Sequence, residues 1–514
     1  MPVRMLRVTA AAAAAVALVF GLFSSMSPTG AAGFKPVISF GVNRAADDLD
    51  PVTQDANPNI WAYMQVYQQL VRVNAAGDGF VPDLATSWKV SADGKIWTFT
   101  LRPDAVFSTG DPVTSADVVW TFQRAHDLDG PWQWALEPMQ AITALDAHTV
   151  AITLKEPFAP FLSDVSLFSN SVGPVKAFKS ATHEQISNHP IGSGPYMLVD
   201  WKKGEQLTMR ANPHYYRRGL PRTPELRIIY IPDDNTRTIA LQSGRVDGID
   251  YPPFSLLAAL RGDPRIEVQL NPSTAVSHVL LNVTKAPLNN VKLRQALSYA
   301  TDRAGIVKAV LYGNGTPATS FLPITTPFFD KGLKAYTYDV NKAQALLKES
   351  GVSGPVTLRA MVQSGNADAQ TTTTLLKAMW AKIGVNLELE PLDRAAATQR
   401  MRNLDYQVYV GGWTNDVPDP SELASYEFDY VTAKSYHTGY QSAAMTALIK
   451  QGEREMDIAK RRQIYYKMQE LAIADAPLIW LYYAPYTDAL NRNMKGFVQL
   501  ATGPWIFTNV TVTQ

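Results

Sequence analysis

After Gly411-Gly412 the chain reads Trp413-Thr414-Asn415-Asp416, with a wide aromatic face and a carboxylate three residues apart. In a closed, water-poor cleft such a carboxylate pairs strongly with an ammonium group through a charge-assisted hydrogen bond. Left alone there, it carries a large desolvation cost. That asymmetry selects cationic ligand ends. A plainer reading stands beside it, because an aspartate in a loop also closes Asx-turns. Trp413 can likewise stack on a ligand or fill a domain edge. Thr414 and Asn415 are carried on the same segment as candidate contacts. His437, in Ser435-Tyr436-His437-Thr438-Gly439-Tyr440, is the histidine to consider as a ligand contact, against the ordinary role of a loop imidazole bonded to backbone. Asp419-Pro420-Ser421-Glu422 has the form of an N-cap, a proline at the first helical position and a glutamate three residues on, so Asp419 is read as structural.

Signals for catalysis are weak. The sequence holds no His-Glu-x-x-His, Gly-x-Ser-x-Gly or P-loop pattern. Gly192-Ser193-Gly194-Pro195 has the wrong spacing for a nucleophile elbow and reads as a turn. The seven histidines are scattered, with no pair at metal-ligand helical spacing. No catalytic residue, metal or cofactor is therefore expected. A secreted peptidase, the enzyme alternative, would need a nucleophile–base or metal motif that this chain lacks.

The elements that must carry Trp413 to Asp416 are legible from Val291 onward. Leu293, Ala296, Leu297 and Ala300 make one helical stripe, and Val340, Ala343 and Leu347 another, closed by Gly351. Val356 to Ala360 reads as strand, Ala369 to Ile383 as helix stopped by Gly384, and Val385 to Leu389 as strand. Arg394 to Arg402 reads as helix and Tyr406 to Val410 as strand. This alternation predicts a parallel sheet with right-handed crossovers. Ligands bind beyond the carboxyl ends of such strands. A sharp turn at Gly411-Gly412 is expected to deliver the candidate residues there on a loop. The earlier region differs. Ser87 to Val90 and Ile96 to Leu101 flank an Asp93-Gly94 hairpin turn, a capping box opens at Thr114-x-x-Asp117, and Thr149 to Leu154 resumes β alternation. This segment predicts an α+β unit.

The N-terminus decides the compartment. Arg4 and Arg7 precede an uncharged apolar stretch from Val8 to Phe23, and Gly30-Ala31-Ala32 offers small residues for cleavage before Gly33. This is the plan of a secretory signal peptide, with an apolar core short for a membrane span. The sequence contains no cysteine, which excludes a disulfide framework and an N-terminal lipid anchor. A free, exported protein fits a periplasm. The first 32 residues carry two of the 47 basic residues and no acid, leaving 45 against 46 acids. Near-neutral charge without a basic, aromatic-laced stripe gives no support to nucleic-acid binding. About 480 residues remain after cleavage, too many for one core.

Five blocks in order resemble the family 5 extracellular solute-binding proteins, the dipeptide, oligopeptide and nickel-chelate group. They are Pro82-Asp83-Leu84-Ala85-Thr86-Ser87-Trp88 with Asp93 to Arg102, Phe107 to Val118, Ile191-Gly192-Ser193-Gly194-Pro195-Tyr196, Ser243-Gly244-Arg245-Val246-Asp247, and Val291 to Leu297. The resemblance implies an α/β protein of the two-lobed periplasmic-binding type (type II, large subclass), with an extra α+β subdomain in the first lobe and a ligand cleft between the lobes. It implies a signal peptide at 1–32, first-lobe segments at 33–72 and 192–274, the extra subdomain at 73–191, the second lobe at 275–487 and a first-lobe return at 488–514. The expected partners are a small molecule or short peptide, an inner-membrane ABC permease and its ATPase, with the binding protein itself a monomer. In the family's peptide binders an aspartate in a Gly-Trp-x-x-Asp stretch holds the peptide's ammonium group, and Gly412-Trp413-Thr414-Asn415-Asp416 matches it. Two departures matter. No cation stands near Val410 or Ser364, where the family's peptide binders supply an arginine for the ligand carboxylate, and Arg394, Arg400 and Arg402 are near only in sequence. The aspartate-proline-histidine run associated with nickel-chelate binders is also missing, since Ser421 follows Asp419-Pro420. A nickel chelate, opine, glutathione-like conjugate or oligosaccharide is the alternative ligand class.

Overall fold

A computed structural model describes residues 33–514; the expected signal peptide lies outside the described residues. Strict alternation in Val37–Val42 sends Ile38, Phe40 and Val42 into a common core. This strand lies inside a seven-stranded sheet ordered Ile266–Asn271, Tyr486–Asn491, Gly248–Asp250, Val37–Val42, Glu225–Tyr230, Gln206–Ala211, Tyr196–Lys202. It runs parallel to Glu225–Tyr230 and Gly248–Asp250. The carboxyl ends of Val37–Val42 and Gly248–Asp250 therefore share one edge, at Asn43 and Tyr251.

The second sheet has six strands, ordered Thr316–Pro317, Leu478–Tyr483, Ala275–Leu281, Val408–Thr414, Val356–Gln363, Val385–Leu392. The predicted strand–helix–strand–helix–strand run is present, with Val356–Gln363 parallel to both Val385–Leu392 and Val408–Thr414. Helix Ala367–Ala381 buries Leu376 and Trp380 against it, and helix Arg394–Arg402 follows. A third, four-stranded antiparallel sheet holds Ala85–Val90, Ile96–Leu101, Thr149–Leu154 and Met139–Asp146. Helix Ser115–Asp127 covers it with Val118, Phe122 and Ala125, and its capping box forms as read: the Thr114 N–H donates to Asp117 Oδ2 at 2.8 Å. This is the α+β unit attached to the first lobe.

Two local expectations are corrected. The strand after Tyr406 does not end at Gly411-Gly412 but continues to Thr414, paired antiparallel with Val276 opposite Trp413 and Ala275 opposite Thr414. A Cβ on Gly412 would lie 3.1 Å from the Val276 carbonyl oxygen, so this glycine serves a close strand approach rather than a turn. Trp413 and Thr414 are strand residues, and the loop begins at Asn415. The second correction concerns the return to the first lobe. Tyr486 and Thr487 pair with Asn271 and Leu270 in the seven-stranded sheet, so the chain crosses at 484–485 rather than after 487. The outward crossing spans 272–274. The two crossings lie side by side, and Ser273 Oγ donates to the Ala484 carbonyl between them.

Candidate functional site

The loop after Thr414 is shaped by Asn415. This side chain is fully buried, and its amide donates to the Val417 carbonyl at 2.6 Å and the Asp419 carbonyl at 2.9 Å. The Asn415 backbone carbonyl accepts from Thr274 Oγ1 at 2.6 Å, which ties the loop to the outward crossing. Asn415 therefore holds the loop in place, and the expectation of a ligand contact is withdrawn for it: a side chain without exposure, with both amide hydrogens bound, has none to offer.

Asp419 is structural, as its pattern implied, though the cap is built differently. Pro420 sits at the cap and Ser421 opens the helix Ser421–Phe428, while Asp419 Oδ1 accepts the Ser421 N–H at 2.9 Å. Both Asp419 oxygens also meet the Arg461 guanidinium, one of them at 2.7 Å from Nη2. Burial alone would raise this carboxyl, but the Arg461 charge and its hydrogen bonds prevail and hold it below the usual range. Glu422, the expected capping-box partner, turns the other way: its Oε2 accepts the N–H groups of Asp416 at 2.8 Å and Val417 at 3.2 Å.

Asp416 is thereby presented with its backbone fixed and its carboxyl hydrogen-bonded only to that of Glu422 among the described residues. It is half-buried, and among the described residues it makes no ion pair and accepts no backbone N–H, so the Asx-turn reading falls away. Burial pushes its carboxyl up to about 7, with Glu422 opposing the rise and Asp55 adding to it. Glu422 is driven well above its usual range by burial and then by Asp416. First-lobe groups surround this second-lobe acid. The Asp416 charge bears on Tyr63, from helix Asn57–Tyr63, and on Tyr486, just past the return crossing. Val417 packs in the first lobe's core, and the Asp419 N–H donates to Ser163 Oγ of the attached subdomain at 3.0 Å. Acids gathered at a lobe junction without a cation form a site that an ammonium group would relieve.

The other candidates fall elsewhere. Trp413 stacks on Tyr426 at 4.0 Å with 20° between planes, and the Tyr436 hydroxyl donates to the Gly412 carbonyl at 2.9 Å. One face of the indole is thus used within the second lobe, while its Nε1–H is buried without a partner. Thr414 pairs with Ala275 at the strand's end. His437 stands in a left-handed run, Lys434 to His437, with φ from 49° to 60°. Its carbonyl accepts from the Tyr406 hydroxyl at 2.8 Å, and its ring Nδ1 has no partner. Burial, then the charges of Arg402 and Lys434, lower its pKa to about 4. Arg400 is engaged by Glu390 at 2.6 Å and Asp405 at 3.2 Å. The Arg394 charge bears on Tyr409, and the Arg402 charge bears on Tyr426 and His437.

At the shared carboxyl ends of Val37–Val42 and Gly248–Asp250 lies a cavity of about 150 Å³, where Asn43, Arg44, Trp61, Asp250, Tyr251 and Trp505 are among the lining residues. Trp61 and Tyr251 stack 5.9 Å apart, and Tyr486 meets them edge-on at 5.9 and 6.1 Å. Tyr486 thus joins this cavity to the Asp416 cluster. Sequence reasoning did not find Glu422, Tyr486, Trp61 or Arg44 as site residues. Glu422 was visible as a capping-box member and was assigned the wrong partner. The others carry no local signal, because they come from separate segments far apart in the sequence.

Two α/β lobes joined by two adjacent crossings, with an acid of one lobe presented to the other, define a two-lobed solute-binding protein. The chain belongs to the bacterial extracellular solute-binding proteins of family 5, whose middle-region profile matches residues 79–435. It is 32% identical over 471 residues to the probable D,D-dipeptide-binding periplasmic protein DdpA of Escherichia coli (strain K12), covering 89% of this chain and 90% of that protein. It is 29% identical over 476 residues to heme-binding protein A of Haemophilus influenzae, covering 87% of each. The solved structure of HbpA2 from Haemophilus parasuis superposes with a TM-score of 0.83 at 28% identity, over 93% of this chain and all of that one. The family and these relatives bind solutes, and among the described residues no group of three or more acidic, histidine or cysteine side chains is placed to hold a metal.

Proposed function

We propose that this protein captures short peptides between its lobes, in the periplasm, and hands them to an ABC permease and its ATPase. Asp416 holds the peptide's α-ammonium group. The observation that carries this reading is a half-buried carboxyl at the lobe junction that, among the described residues, is paired with no cation. The ligand brings that cation, and the lobes close on it by hinge motion at 272–274 and 484–485. The edge of strand Val408–Thr414 facing Val356–Gln363 supports an extended ligand: strand pairing there stops at Tyr409 among the described residues. The Gly412 carbonyl is taken by Tyr436, so strand addition has the flanking groups to use. Trp413 and Thr414, at the end of the same edge, are the contacts assigned to the peptide's first residue. The D,D-dipeptide ligand named for the Escherichia coli relative agrees with a small zwitterion. The protein acts as a monomer, is released by signal-peptide cleavage, and performs no chemistry on its cargo.

Native mass spectrometry of protein purified from its own cell envelope, followed by denaturation and identification of the released mass, tests this. A set of short peptides is the expected result. A single haem, a nickel complex or an opine would replace the peptide reading.

Binding is also expected to depend on pH. In the free protein the Asp416 carboxyl titrates near 7, and with an ammonium partner it stays ionised, so binding below pH 7 must expel a proton. Glu422 and Asp55 beside it, and the buried Tyr63 and Tyr486 hydroxyls, supply no positive charge to offset this. Affinity should fall about tenfold per unit as pH drops from 7 toward 5, and calorimetry in buffers of different ionisation enthalpy should show proton release. Equal affinity at pH 5 and pH 8 would contradict the assignment.

A further inference from the structure

We propose that Arg44, on the first lobe, supplies the cation for the ligand's carboxylate, since the positions near Val410 and Ser364 hold none. The inference rests on the peptide reading and names the other end of the same ligand. Arg44 lines the cavity at the carboxyl ends of Val37–Val42 and Gly248–Asp250. It is exposed, and among the described residues it makes no ion pair and no side-chain hydrogen bond. The neighbouring arginines are committed. Arg237 is fully buried against Asp234 and four backbone carbonyls, and Arg124 pairs with Asp50.

Acids near the cavity do not satisfy Arg44. Asp250 Oδ1 accepts the Asn43 N–H at 2.9 Å and lies 3.8 Å from Arg237 Nε. Asp488, opposite Asp250 in the sheet, is fully buried and accepts from Asn271 at 2.7 Å. Trp61, Tyr251 and Trp505 form the aromatic wall, with Trp505 edge-on to Trp61 at 4.8 Å. A guanidinium beside such a wall, once a ligand excludes water, binds a carboxylate more strongly than it does in open solvent, and binds it bidentately.

Arg44 and Asp416 also stand at two ends of one aromatic path. The Asp416 charge bears on Tyr486, the Arg44 charge bears on Tyr251, and those two rings are 6.1 Å apart. A dipeptide, about 7 Å long when extended, is long enough to lie across both rings. Because the acid belongs to one lobe and the cation to the other, only a ligand carrying both charges ties the lobes together. Closure is then driven by zwitterions in preference to amines or acids alone.

The test compares free-acid dipeptides with their C-terminal amides by calorimetry, in wild type, Arg44→Gln and Arg44→Lys. Wild type should prefer the acid by about 10- to 100-fold. In Arg44→Gln that preference should shrink to within about twofold, with Arg44→Lys between, since lysine keeps the charge but loses the fork. The comparison is made within each variant, so a general loss of affinity does not imitate it. A preference that survives in Arg44→Gln, or is missing in wild type, overturns the Arg44 assignment while leaving the peptide reading in place. Wild type that binds neither acid nor amide overturns both.

Discussion

Asp416→Asn is expected to weaken binding of a free-amine dipeptide by at least about 30-fold, in line with the roughly 2–5 kcal/mol lost when one partner of a buried charge pair is neutralised. Asparagine keeps the shape and can still accept a hydrogen bond, so the loss isolates the charge. The fold should not suffer. The Asp416 carboxyl is raised to about 7 by burial, which means ionisation destabilises the ligand-free protein. That cost is full above pH 7, shrinks as pH falls through the folded-state value, and vanishes below the ordinary carboxyl value near 4. The variant should therefore melt at or above the wild-type temperature at pH 8, with the gap closing at acid pH. Unchanged affinity in a folded Asp416→Asn protein would remove Asp416 from the site.

Three residues along, the same side-chain type has the opposite task. Arg461→Met should destabilise the protein by about 3–5 kcal/mol, because it strands buried charge. Arg461 is paired by both Asp419 oxygens, donates to the Gly452 carbonyl at 2.6 Å, and also opposes the buried Asp164 and Glu453. Its removal leaves three acids crowded where the second lobe meets the attached subdomain. Asp419→Asn should cost less, since the guanidinium keeps Gly452 and those two acids nearby. The denaturant midpoint measures both. A shift for Arg461→Met no larger than for Asp419→Asn would mean that the pair, rather than the acid cluster, sets the energetics.

The contrast between Asp416 and Asp419 shows what was legible in advance. The periodicity from Val291 to Val410 located each strand and helix of the parallel unit because those elements bury one regular face, and periodicity reports burial. The Asp419 pattern carried its structural role for the same reason, since capping is local. The meaning of Gly411-Gly412 was not legible: a glycine pair permits a turn or a close strand approach, and the choice was made by Val276 on a strand more than a hundred residues earlier. The capping-box glutamate was misassigned because Glu422 can reach either its own helix start or the loop before it, and the buried N–H groups of Asp416 and Val417 needed an acceptor. Asn415 looked like a contact because it shares a segment with Asp416, yet a strand end followed by a loop turns successive side chains to different sides. The first-lobe half of the cleft was beyond local pattern altogether. Arg44 follows one strand, Trp61 sits on a helix and Tyr486 opens the strand after the return crossing, so no local pattern links them.

The most direct measurement is a calorimetric titration of the wild-type protein at pH 8 with a tight-binding free dipeptide and with its N-acetylated form. Acetylation removes the ammonium charge and little else. The account predicts that the acetylated peptide binds at least about 30-fold more weakly, the loss expected for an unpaired buried charge. Equal affinity for the two would show that the cleft does not read the ammonium group.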